Sequence, residues 1–68
     1  MTTLELIAIN IKIKRRYKGW SQKRLAKESG ITQYFLCNIE SAKENPSVLT
    51  LEKICKSLDC KVVSLLDE

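Results

Sequence analysis

The sequence predicts an all-α fold, with residues 1–68 forming one compact domain of five short helices. Three observations carry this expectation. The 68 residues include only two glycines and one proline, too few turn-formers for an all-β chain. Apolar residues recur at helical spacing in successive short segments. The segments are bounded by helix signals, with Gly19 and Gly30 as stops and Ser21, Thr32 and Ser47 as capping hydroxyls. Apolar residues make up 44% of the chain, which supports a core of marginal size and makes self-association an expectation.

The first helix is expected from about Leu4 to Lys18. Leu4, Ile7, Ala8 and Ile11 share one face, with Arg15 at its end, while Leu6, Ile9, Ile13 and Tyr17 form a second stripe on the opposite side. A surface helix normally carries a single apolar stripe. The same stretch, IAINIKIK, also places isoleucine at every second position, which is a strand signal. Length and the stop at Gly19 favour helix. The second stripe could be covered by the fifth helix, or it could join two subunits.

Ser21 can cap a helix over Gln22–Ser29, with Gln22, Leu25, Ala26 and Ser29 inward and Lys23, Arg24 and Lys27 outward. Gly30 ends it, Ile31 can plug the core, and Thr32 can cap a third helix over Gln33–Glu40. Phe35, Leu36 and Ile39 form the inner side of that helix. Its outer side holds Gln33, Tyr34, Cys37, Asn38 and Ser41. That outer face lacks Lys and Glu, the usual residues of a merely solvated surface, and carries directional hydrogen-bonding groups instead. SAKENP reads as a loop. Ser47 caps a fourth helix with Leu51, Ile54, Cys55 and Leu58 inward, and CKVVSLL reads as a short fifth helix.

The formal charge of +4 is unevenly spread. Residues 1–30 hold eight basic side chains against Glu5 and Glu28, and residues 31–68 hold four against six acids. One-sided positive charge suggests a polyanionic partner, nucleic acid or an anionic membrane. There is no histidine. No catalytic constellation is visible, so an enzyme is not expected, and neither is a cofactor or metal. Cys37, Cys55 and Cys60 lack the spacing of a zinc or redox motif and read as reduced thiols of a cytoplasmic protein. Cys55 and Cys60 are expected as small core residues, and Cys37 as an outward thiol. Tyr17 and Trp20 are expected to pack. No apolar run reaches membrane-spanning length, and no membrane partner is expected.

Two short helices joined by a glycine turn, the second with a polar outer face, make a helix-turn-helix over about residues 21–40. The stretch GWSQKRLAKESGITQYFLCNIESAKENPSVLTLEKICKSLDC resembles the Cro/repressor-type (XRE) helix-turn-helix family. The resemblance runs from about Ile7 to Leu66. It implies a repressor-like domain that binds double-stranded DNA as a homodimer on a palindromic operator. It further implies base reading by Gln33, Tyr34, Cys37 and Asn38, and phosphate contacts from Ser21, Gln22 and Lys43. Arg15 and Glu40 match an internal ion pair of the family.

Departures from the family pattern are local. Ser41 and Ala42 replace a frequent Arg-Gly, and Ala42 would strain a left-handed turn, so this loop is expected to differ. Lys61 stands where a capping serine is frequent, which points to a frayed fifth helix. Val62, Leu65 and Leu66, together with Ile9 and Ile13 of the second stripe, are the candidates for a dimer contact. The function expected is that of a transcriptional regulator, acting as a repressor, with room for a regulatory protein partner. The competing class is an interaction module that pairs with a related regulator without reading DNA.

Overall fold

A computed structural model describes all 68 residues. Four α-helices follow one another: α1 (Thr3–Tyr17), α2 (Gln22–Ser29), α3 (Gln33–Glu40) and α4 (Val48–Leu58). Residues Val62–Leu66 form a single 3₁₀ segment, so the expected fifth α-helix is absent. Lys61 precedes this segment and supplies no side-chain cap. Five residues beginning with two adjacent valines hold too few hydrogen bonds to offset nucleation of an α-helix. The strand alternative for IAINIKIK is overturned, since all of it lies within α1.

Each helix begins at a hydroxyl. Thr2, Ser21, Thr32 and Ser47 each accept a hydrogen bond from the backbone N–H three residues on, at 3.1, 3.0, 3.0 and 3.1 Å. Thr2 also donates its own N–H to the Glu5 carboxylate at 2.8 Å, completing a capping box. The Thr2 backbone N–H, and then the Thr2 hydroxyl, hold the Glu5 carboxyl below its usual range.

The helices also share one ending. A residue in left-handed conformation follows each of them: Gly19 (φ 74°), Gly30 (φ 72°), Ala42 (φ 60°) and Asp59 (φ 55°). The residue after it donates back across six positions, Trp20 to Arg15 at 3.1 Å, Ile31 to Ala26 at 3.0 Å, Lys43 to Asn38 at 2.8 Å and Cys60 to Cys55 at 3.0 Å. Each is a Schellman motif, in which the carbonyls orphaned at a helix end find donors. The loop after α3 therefore keeps the left-handed turn, and Ala42 occupies it. The expectation that this loop would depart from the turn is corrected.

The core lies where α1 packs on α3 and the 3₁₀ segment, and α2 packs on α3 and α4. Ile11, Leu25, Leu36, Ile39, Ile54 and Leu65 are all but sealed from solvent. Burying each such side chain stabilises the fold by roughly 1.5–3 kcal/mol. Leu65 is thus core of its own chain and unavailable to a second subunit, which corrects its place among the dimer candidates. Val62 is half-buried against the same core, while Leu66 is 46% exposed and Val63, not singled out from the sequence, 65%.

Asn10 fixes the returning chain. Its side-chain amide donates to the carbonyls of Leu65 and Asp67, each at 2.8 Å. The chain comes back to one flank of α1 only. Leu6 is half-buried, but Ile9 (40%), Ile13 (58%) and Tyr17 (92%) face solvent, so Tyr17 is not the packing residue expected. Trp20 does pack against the core, flanked by the Lys18 ammonium and the Arg24 guanidinium, each 4.7 Å from its ring centre.

Candidate nucleic-acid interface

The geometry of α3 starts from its two unlike faces. Leu36, Ile39 and Glu40 are buried and Phe35 half-buried, which fixes the rotation of the helix about its axis. Gln33, Tyr34 and Cys37 are consequently exposed, and Asn38 is half-buried at the edge of the same face. None of these four side chains is engaged by its own amide, hydroxyl or thiol with another part of the chain. The face thus offers two amides, a phenol and a thiol. An amide side chain can donate to and accept from the same adenine edge, which gives such a face reading power in a major groove.

The rotation is locked by a buried charge. Glu40 reaches back towards α1, where Arg15 Nε meets Oε2 at 2.8 Å and Arg15 Nη2 meets Oε1 at 2.9 Å. The side chains are 9% and 0% exposed. Arg15 Nη1 also donates to the Trp20 carbonyl at 2.8 Å, and Gln22 Nε2 donates to Glu40 Oε1 at 3.0 Å. Four bonds therefore converge on one ion pair from α1, α2 and the turn between them. No buried side-chain polar atom is left without a partner.

The same network sets the relation of α2 to α3. Gln22 is the first residue of α2 and Glu40 the last of α3, so the N-terminus of α2 lies beside the C-terminus of the outward helix. Ser21 caps this N-terminus and is exposed. A helix start presents unpaired N–H groups and the positive end of the helix dipole. Lys43 is exposed just beyond α3, its N–H bonded to the Asn38 carbonyl. Ser41, at the position of the frequent arginine, turns its hydroxyl back onto the Cys37 carbonyl at 2.7 Å.

The outer side of α2 carries Lys23, Arg24 and Lys27, all exposed. Arg24 makes a 3.4 Å ion pair with Glu28, and Lys18 a 3.0 Å pair with Asp59. Both pairs are open to water and are worth little to stability. No group of three or more His, Cys, Asp or Glu side chains is placed to hold a metal ion. No helix is long and apolar enough to cross a membrane.

Sequence reasoning missed two residues of this region. Gln22 is expected from the sequence on the inner face of α2 and at phosphate, but its partnership with Glu40 is not. Asn10 was not singled out at all, because an amide between two isoleucines gives no hint of carbonyls arriving from 55 residues later.

A short helix held on a buried ion pair, with a polar uncharged face turned out beside a capped helix start, defines a helix-turn-helix domain of the DNA-binding kind. The chain belongs to the helix-turn-helix family HTH_3, whose model matches residues 11–65. It is 41% identical over 64 residues to the HTH-type transcriptional regulator SinR of Bacillus subtilis, covering 93% of this chain and 58% of that protein. The chain thus spans a little over half the length of that relative. The master regulator for biofilm formation SinR, solved in complex with DNA, superposes with a TM-score of 0.85 at 40% identity, over 90% of this chain and 98% of that one. The restriction-modification controller protein C.AhdI from Aeromonas hydrophila superposes with a TM-score of 0.88 at 27% identity, over 91% and 94% of the two chains.

Proposed function

We propose that this chain is a sequence-specific double-stranded DNA-binding transcriptional regulator that acts as a dimeric repressor on a palindromic operator. The observation that carries the reading is the outer face of α3, where directional polar groups replace solvated charge on a helix rigidly oriented by Arg15 and Glu40. The DNA-bound structure of a 40% identical domain supports it.

In this reading α3 lies in the major groove, which is wide enough to admit a helix. Gln33 and Asn38 read base edges, with Tyr34 and Cys37 beside them. Gln22 and Ser21 meet the backbone at the start of α2. An amide nitrogen carries two hydrogens. One of Gln22's is used on Glu40, and the other is left for a phosphate oxygen. A phosphate there would be held by a residue already fixed in place, so little side-chain freedom is lost on binding. Lys43 supplies a cation just beyond the C-terminus of α3. Two copies related by a two-fold axis would place their α3 helices about one DNA turn apart, roughly 34–36 Å.

The experiment is a selection from random duplexes with the purified protein, followed by sequencing and footprinting. Enrichment of an inverted repeat, protected in adjacent major grooves, is the expected result. Recovery of no preferred sequence would exclude the reading in favour of the protein-interaction class.

A further inference from the structure

We propose that Cys55 and Cys60 form a dithiol site, distinct from the DNA-facing surface, that a hydroperoxide converts to an intrachain disulfide. The placement comes from the end of α4. A Schellman motif brings the side chains at its first and sixth positions together, and here both are cysteines. The Cys60 N–H meets the Cys55 carbonyl at 3.0 Å, and both cysteines line the same surface groove. At the equivalent positions α2 carries Ala26 and Ile31, which have no such chemistry. Read singly, Cys55 and Cys60 are small core residues; only the turn at Asp59 makes them a pair.

The two sulfurs differ in setting. Cys55 is 3% exposed, whereas Cys60 is half-buried. Both line one surface groove with Glu52, Lys56, Lys61 and Val62. Cys60 also lines a second groove with Lys14 and Lys18, so small molecules reach it from two sides. Burial, and then the neighbouring Cys60, pushes the Cys55 thiol up to about 12. Cys55 is the more enclosed sulfur, so attack on the oxidant falls to Cys60, which the oxidant can reach.

In the first step the Cys60 sulfur attacks one peroxide oxygen. The O–O bond breaks, the Cys60 proton leaves with the displaced hydroxide as water, and Cys60 becomes a sulfenic acid. In the second the Cys55 sulfur attacks the Cys60 sulfur. The S–O bond breaks, hydroxide departs with the Cys55 proton as a second water, and the S–S bond remains. Two thiols lose two electrons and the peroxide gains them. The crosslink ties the chain to α4 two residues before the 3₁₀ segment. Asn10 already holds the far end of that segment, so its exposed Val63 and Leu66 would then be fixed from both sides.

The test uses the full chain with Cys37→Ser, which removes the exposed third thiol. The protein is treated with a small excess of hydrogen peroxide, unfolded, alkylated and weighed by mass spectrometry. Loss of two hydrogens per chain, with both remaining cysteines protected from alkylation until dithiothreitol is added, is expected. Amide exchange at Val62–Leu66 should slow in the oxidised protein. Cys55→Ala, a small-for-small change, should fold and carry Cys60 on to acids bearing two or three oxygens. The proposal is overturned if the parent also gives those acids with Cys55 still free, or gives disulfide-linked chains. Unchanged exchange at Val62–Leu66 in a protein that does form the disulfide would overturn the link to the 3₁₀ segment.

Discussion

Arg15 and Glu40 face each other across two parallel hydrogen bonds of 2.8 and 2.9 Å, and both side chains are shut off from solvent. The pair joins α1 to α3 and so sets which face of α3 points outward. Removing one member leaves the other charged in a place where water cannot reach it. Glu40→Ala is expected to destabilise the fold by about 3–5 kcal/mol, and Arg15→Ala by a similar amount. The double variant should lose far less than the two together. Urea unfolding of the four proteins measures this, and strictly additive losses would mean that the two side chains act independently.

Gln33→Ala and Asn38→Ala should each weaken binding to the selected operator by about 1–3 kcal/mol and relax the base preference at one position. Stability should hardly move, because neither side chain is fully buried. Equal affinity of parent and both variants would remove α3 from the role of reader.

Binding should fall steeply with salt, since lysine and arginine contacts displace counterions from DNA. Lys43→Ala should lower the slope of log affinity against log salt by roughly 1 and affect all sequences alike. An unchanged slope would place Lys43 away from phosphate.

Ile9 and Ile13 lie on the exposed side of α1. The double change Ile9→Lys, Ile13→Lys is expected to leave helicity intact and to abolish self-association in sedimentation. If the dimer survives, Val63→Lys with Leu66→Lys is the next pair, because these are the apolar side chains exposed at the C-terminal end. Loss of helicity in the first variant would mean that the stripe is needed for folding.

Ala42 holds a left-handed turn at φ 60° where glycine carries no steric penalty. The left-handed conformation costs an L-residue roughly 1–2 kcal/mol, and the greater freedom of glycine in the unfolded chain takes back about 0.4–1. Ala42→Gly should therefore stabilise the domain by about 1 kcal/mol. Gly30→Ala is the mirror experiment. An added Cβ there would meet nothing within 4 Å, so its loss of stability should reflect the backbone alone. Thermal melts of the two variants should shift in opposite directions.

The sequence by itself determined the local events. Ser21, Gly30 and Thr32 set the limits of α2 and the start of α3 to the residue, because a cap or a left-handed stop acts through atoms only a few positions away. The inward positions of α4 followed from helical spacing, and Leu51, Ile54, Cys55 and Leu58 are all buried. Thr2 and Glu5 carried an equally local signal for the start of α1, which went unread. Tertiary structure decided what spacing leaves open. Both stripes of α1 are equally apolar in the sequence, and the packing of α3 together with the return of Leu65 and Asp67 to Asn10 determines which flank is covered. The same return buries Leu65 and leaves Ile13 and Tyr17 in water. Gln22 became a partner of Glu40, and the Cys60 backbone of the Cys55 carbonyl, through the way helices meet and end. Periodicity fixes the direction of a side chain relative to its own helix axis, while its partner depends on where the rest of the chain closes around that helix.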